Sequence, residues 1–328
     1  DAPSILSGSV ALEAGRVYPI TVEGWQRGQR GEQWLVWSRP SDNGENAVTA
    51  AADADLAIFV GGLSARIEGE EMKVEAEGFH GGDRTNIDLP APQRDLLQRV
   101  HATGTPTVLV LMNGSALAVN WADENIPAIV EAWYPGGSGG HAVAELLAGD
   151  YSPAGRLPVT FYRGVGDLPG FLDYTMENRT YRYYRGEVLY PFGHGLSYTS
   201  FAYAEPQAST AADGTVTLSV AVTNSGEMEG EEVVQLYLSR SDLPNQPARS
   251  LAGFERIRLA AGETKRVRFT LDARRLSTVD ALGNRLVVPG EVDAWIGGGQ
   301  PVSRPGLAMA PGVATRFAIE GEPRQLAR

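Results

Sequence analysis

Cysteine is absent from this 328-residue chain, so disulfides and thiolate metal sites are excluded. Histidine is scarce. His80, His101, His141 and His194 are scattered, no two of them at helical i,i+4 spacing, which argues against a histidine-built zinc site. No apolar run approaches the roughly eighteen residues that span a bilayer. A basic face is missing too: 28 Lys and Arg stand against 40 Asp and Glu, a formal net charge of −12. That balance disfavours a nucleic-acid backbone or an anionic membrane surface as partner. Asp1 opens the sequence without a starting Met or a signal-peptide pattern.

What is present fits a globular protein of more than one domain. Hydrophobic residues make up 43% and charged residues 21%, enough for a sizeable core. The 39 glycines and 20 prolines predict many turns.

Three regions differ in pattern. Residues 1–38 read as strands: "SGSVALEAGRVYPITVEGW" holds two β-rich runs around "EAGR", and "EQWLVWSR" alternates Trp34 and Val36 against Leu35 and Trp37. With no partner sheet in sight, they read as the tail of a larger β-sandwich. Residues 39–200 alternate between helix and strand. A short helix leads to a buried strand, Leu56 to Val60, whose unbroken apolar character suits a sheet covered on both faces. A helix follows with Leu96, Leu97 and Val100 on one side. "PTVLVLMNG" and "IPAIVEAWY" are further buried strands, and "SGGHAVAELLAGD" is a helix with Val143, Leu146 and Leu147 inward. This order predicts a largely parallel sheet flanked by helices. Residues 201–328 read as alternating strands, among them "TVTLSVAVTNSG", "EEVVQLYLSR", "KRVRFTLDA" and "EVDAWIGGG", the pattern of an antiparallel β-sandwich. The fold class is therefore α/β followed by all-β.

In parallel sheets, ligands gather beyond the carboxyl ends of the strands. Three loops follow strands in this way: the acidic stretch "ARIEGEEMKVEAEGFHGGDR", "NGSAL" and "YPGGSGG". The acidic stretch carries Glu68, Glu70, Glu71, Glu75 and Glu77. Like charges in a run are usually a solvated surface. Yet clustered carboxylates raise one another's pKa, which suits a general acid working near neutrality. Asp83 and Arg84 read as an ion pair that pins the loop. "YPGGSGG" lacks the Lys-Ser/Thr of a phosphate loop, and reads as a tight turn capping a helix at Ser138. No GxSxG nucleophile elbow occurs. The aromatic-rich segment "YTMENRTYRYYRGEVLYPFGHGLSYTSFAY" suits either a sugar-stacking surface or an interdomain seam.

"GGDRTNIDLPAPQ", "EAWYPGGSGG", "LLAGDYSPAGRLPVTFY", "RTYRYY" and "LYPFGHGLSYTSFAY" together resemble the carboxyl-terminal half of a glycoside hydrolase family 3 enzyme of β-glucosidase or β-xylosidase type. The resemblance spans roughly residues 47–320. It implies an α/β-sandwich domain, then a fibronectin type III-like domain, preceded by the tail of an inserted protective-antigen-type β-sandwich. It further implies retaining, exo-acting hydrolysis of terminal β-linked sugars, with no metal or organic cofactor and a periplasmic or secreted location. In the family the nucleophilic Asp lies on an amino-terminal (β/α)8 barrel, absent here and therefore an expected partner. The acid/base is a Glu on the loop after a strand of the α/β domain, in a Glu-x-Glu-Gly pattern before Asp-Arg. Two places fit in part. "IEGEE" points to Glu70 and "EAEG" to Glu77, with Glu68 and Glu71 as further candidates; Glu70 is preferred, and Arg66 is expected to touch substrate. The alternative is a non-catalytic carbohydrate-binding or scaffold module.

Overall fold

The computed structural model describes residues 10–13, 15–21, 44–74 and 76–327. Of the strands expected in residues 1–38, "EQWLVWSR" lies outside the described residues. Residues 10–13 and 15–21 form no strand, which corrects that expectation. A turn closes there instead, with Arg16 N–H donating to Glu13 O at 3.2 Å.

The α/β region begins with helix α1 (Glu45–Ala52), strand β1 (Ala57–Gly62), the short strands β2 (Phe79–His80) and β3 (Asp83–Arg84), and helix α2 (Ala91–His101). Strand β4 (Thr107–Met112), helix α3 (Asn120–Asn125), strand β5 (Ala128–Glu131) and helix α4 (Gly139–Ala148) complete it. β1, β4 and β5 form one parallel sheet in that order, with Phe59 beside Leu109 and Leu109 beside Ile129. Those three residues share a face and pack on Leu97 from α2, as the 2.0 and 3.6 periodicities require.

The opposite face of β1 is open, where covering on both faces was expected. Leu56, Ile58 and Val60 are 52%, 51% and 59% exposed. β1 is the edge strand of the described sheet, so an apolar run does not by itself bring a second layer. Val143, Leu146 and Leu147 of α4 are likewise only half-buried. The two faces should respond differently to truncation. Leu109→Ala, at a fully buried site, should cost about 2–5 kcal/mol, and Ile58→Ala about 0.5 kcal/mol or less. Urea midpoints of the two variants check this.

After a 3₁₀ turn at Val165–Asp167 and helix α5 (Thr180–Tyr183), the chain becomes all-β. The strands are β6 (Phe201–Thr210), β7 (Val216–Asn224), β8 (Gly230–Ser239), β9 (Ser250–Leu259), β10 (Thr264–Leu271), β11 (Thr278–Val279), β12 (Arg285–Val287), β13 (Gly290–Gly297), β14 (Gly312–Ile319) and β15 (Arg324–Gln325). One sheet runs β10-β7-β6 and its partner β14-β13-β8-β9, with a small sheet β11-β12-β15 at one side. β10 shows the cause most simply. Val267, Phe269 and Leu271 point into the core while Arg266, Arg268 and Thr270 face out. β6, β9 and β14 were not anticipated. β9 carries Gly253, and its register against β8 shifts at Leu236/Tyr237, which blurs the alternation.

Two buried ion pairs join the sandwich to the α/β region. Arg156 meets Glu232 at 2.6 Å, and Arg304 meets Asp123 at 2.8 Å. The aromatic-rich segment fills the same seam: Tyr181 meets Tyr237 of β8 edge-on at 6.2 Å, and the Arg304 guanidinium lies 5.7 Å from the Tyr190 ring. Burial foremost, with Arg156 and Arg304 nearby, pushes His194 down to about 4. Of the two readings of this segment, these contacts match the interdomain seam.

Candidate active site

The acidic loop is built from the end of β1. Gly62 sits at φ 131°, and a Cβ there would lie 2.1 Å from the Met112 carbonyl, so only glycine fits. Gln93 of α2 clamps this residue from both sides: its Oε1 accepts from Gly62 N–H at 2.7 Å and its Nε2 donates to Gly62 O at 2.8 Å. The chain therefore leaves the sheet in a fixed direction. A turn follows, in which Ile67 and Glu68 N–H both donate to Ser64 O.

Beyond it, the segment Gly69–Met72 docks onto the β2–β3 hairpin. Gly69 N–H donates to Gly82 O at 3.2 Å and Met72 N–H to Gly81 O at 2.8 Å. Glu70 and Glu71 form the tip between these two bonds, Glu71 at φ 51°. Both are exposed, as are Glu77 and Arg66. Glu75 lies outside the described residues. Glu70 and Glu77 make no hydrogen bond or ion pair among the described residues.

Glu68 behaves differently. It is half-buried, and its Oε1 accepts from Ser115 Oγ at 2.5 Å. Arg84 Nη1 donates in turn to Ser115 Oγ and to Ala116 O, each at 3.0 Å. Burial works against the Arg84 charge, and Glu68 and Asp88 support it. Arg84 thus pins the loop through "NGSAL". The expected Asp83–Arg84 ion pair does not form: the two are neighbours in a strand, so their side chains leave on opposite faces.

The loop after β5 closes the cluster. Tyr134 packs its ring over Gly114, and burial, then Glu68, raises its hydroxyl pKa. Glu131, the last residue of β5, accepts from Asn113 Nδ2 at 3.2 Å and from Trp133 N–H at 3.1 Å. Ser138 is the N-cap residue of α4, but its side chain makes no cap bond. The three loops expected at one sheet edge therefore meet there. Sequence reading named the segments but not Glu131, Asn113, Ser115 or Tyr134 as the residues that join them.

Burial pushes Glu131 up from its ordinary 4.5 to about 7, against the two hydrogen bonds it accepts. The folded chain therefore keeps a proton that the unfolded chain releases near 4.5. This contribution to stability is complete below that value and is lost as pH rises through about 7. Glu131→Gln removes the titration. Its stability relative to the parent should rise steadily between about pH 5 and pH 8, read from denaturant midpoints; a pH-independent difference would refute the assignment.

Comparisons with known proteins agree with this architecture. Residues 9–198 match the glycosyl hydrolase family 3 C-terminal domain, and residues 232–300 match a fibronectin type III-like domain. The xylan 1,4-beta-xylosidase of Xylanibacter ruminicola is 45% identical over 242 residues, covering 73% of this chain and 28% of that protein. The periplasmic beta-glucosidase of Salmonella typhimurium is 40% identical, covering 77% of this chain and 34% of its own length. Among solved structures, a β-glucosidase from Kluyveromyces marxianus in complex with glucose superimposes with a TM-score of 0.71 at 31% identity, over 85% of this chain and 34% of its own. The chain thus spans about a third of the length of these relatives. By its matching domain and by these relatives, the chain belongs to glycosyl hydrolase family 3 and carries that family's C-terminal domain.

Proposed function

We propose that this chain supplies the acid/base to a retaining, exo-acting β-glycosidase that removes terminal sugars from β-linked oligosaccharides. The observation that supports this most is the presentation of the acidic turn. Glu68 is tied to Ser115, while Glu70 stands exposed at the tip of a turn held by two backbone bonds. In this reading Glu70 protonates the glycosidic oxygen as the bond breaks, then takes a proton from the water that hydrolyses the glycosyl-enzyme. Glu77 is the alternative. The nucleophilic Asp resides on a (β/α)8 barrel outside this chain, brought to about 5–5.5 Å from the acid/base as retention requires. Arg66, on the same loop, contacts the leaving sugar. No metal or organic cofactor takes part. The division into a β-sandwich tail (1–38), an α/β domain (39–200) and a fibronectin type III-like domain (201–328) belongs to the same reading, as does a periplasmic or secreted location.

Hydrolysis of aryl β-glucoside and aryl β-xyloside by this chain, alone and joined to a family 3 barrel segment, tests the proposal. Turnover only in the joined form is expected. An inactive joined form that still binds oligosaccharide would replace the proposal with a non-catalytic carbohydrate-binding module.

A further inference from the structure

A cavity of about 440 Å³ lies between α5 and the β-sandwich, and none of its lining residues belongs to the acidic-loop cluster. That volume is in the range of small-molecule sites. Its charge is unusual for this chain. Arg182, Arg240, Arg275 and Arg285 line it, and no Asp or Glu does, although acids outnumber bases 40 to 28 overall.

Arg240 is neutralised by Asp242, which takes its Nε at 2.8 Å and its Nη2 at 2.7 Å. The other three form no ion pair among the described residues. Each side chain donates to a neutral acceptor: Arg182 to Ser250 Oγ at 3.3 Å, Arg275 to Ala252 O, and Arg285 to Ser277 Oγ at 3.1 Å. A guanidinium carries five N–H groups. Three cations with unspent donors therefore share one cavity, and an ionised oxygen acid is the ligand that satisfies them. The rest of the lining is neutral, and about half of it is polar. Thr278 donates to Gln246 Oε1 at 2.7 Å, and Asn245 stands beside them. These groups exchange hydrogen bonds with hydroxyls as readily as with one another.

We propose that this cavity binds an acidic sugar, its carboxylate held by Arg182, Arg275 and Arg285 and its hydroxyls by the neutral polar lining. A uronyl unit has this chemistry. The anion follows from the arginines alone; the choice of a sugar as its carrier rests on the glycosidase reading.

Calorimetric titration of the 328-residue chain with glucuronate, glucose, acetate and inorganic phosphate tests it. Saturable glucuronate binding is expected, with the other three at least about tenfold weaker. Arg285→Gln and Arg182→Gln should each weaken glucuronate by about tenfold; if one variant loses its native circular dichroism, the other carries the test. Absence of saturable glucuronate binding overturns the proposal. So does equal binding of glucose, which would make the charge irrelevant, or of acetate or phosphate, which would make the sugar irrelevant. Undiminished binding by both folded variants overturns it as well. The readout needs no turnover, so an inactive joined enzyme with intact glucuronate binding would remove only the catalytic reading.

Discussion

Gly82→Ala should unseat the acidic turn and lower turnover of the barrel-joined enzyme by at least about 100-fold. Gly82 sits at φ 91°, and a Cβ there would lie 1.9 Å from the Gly69 carbonyl and 3.0 Å from Met72 Cβ. The nearest obstacle is backbone, which no rotamer change can clear. The turn carrying Glu70 must move, and Gly69 N–H then loses the Gly82 carbonyl it donates to. A displacement of an ångström at a group that transfers a proton costs about two orders of magnitude. Global stability should change far less, because the turn is exposed and buries little apolar surface. Faster limited proteolysis between residues 65 and 84, with the urea midpoint nearly unchanged, would mark this mechanism. Gly170→Ala is the control. A Cβ there meets nothing within 4 Å, and turnover should be unaffected. Full activity in Gly82→Ala would show that the docking of the turn is irrelevant.

Arg156→Ala should be the most destabilising single change at the domain seam, costing about 3–5 kcal/mol. The pair it breaks is deeply buried, Arg156 at 8% and Glu232 at 3% exposure. Arg156 also donates to the Gly298 carbonyl at 3.0 Å; its removal leaves that carbonyl to Gln235 and leaves the buried Glu232 charge with the Val233 N–H as its remaining donor. Burial already raises the Glu232 pKa, and Arg156 is the largest influence holding it down. Without Arg156 the pKa rises further. The penalty of a raised carboxyl is absent at low pH and grows as pH passes through the folded pKa. The variant should therefore be hurt more at alkaline than at acidic pH. Glu232→Gln in the same background should recover much of the loss, since the uncompensated charge is then gone. A pH-independent loss with no recovery would mean that the arginine acts by packing alone.

The architecture was legible in the sequence where periodicity carried it. Val267, Phe269 and Leu271 alternate with exposed neighbours in β10, and the β–α–β order gave the parallel sheet. The open face of β1 was not legible, because Leu56, Ile58 and Val60 read alike whether a layer covers them or not. The site was legible only as far as its loops. Which glutamate is tied down depends on Ser115, 47 residues along the chain from Glu68, and no local pattern encodes that distance. Glu131 and Asn113 were missed for the same reason: each is a single polar residue at a strand end, with no period to mark it.

The most direct test of Glu70 as acid/base is the turnover of an aryl β-xyloside by the barrel-joined enzyme carrying Glu70→Ala, with and without azide. General acid–base catalysis contributes about 10²–10⁴-fold, so a loss of that size is expected. Azide needs no general base to attack the glycosyl-enzyme, so it should restore turnover and yield the β-glycosyl azide. Full activity in Glu70→Ala, with the same loss and azide rescue appearing in Glu77→Ala instead, would contradict the assignment and move the acid/base to Glu77.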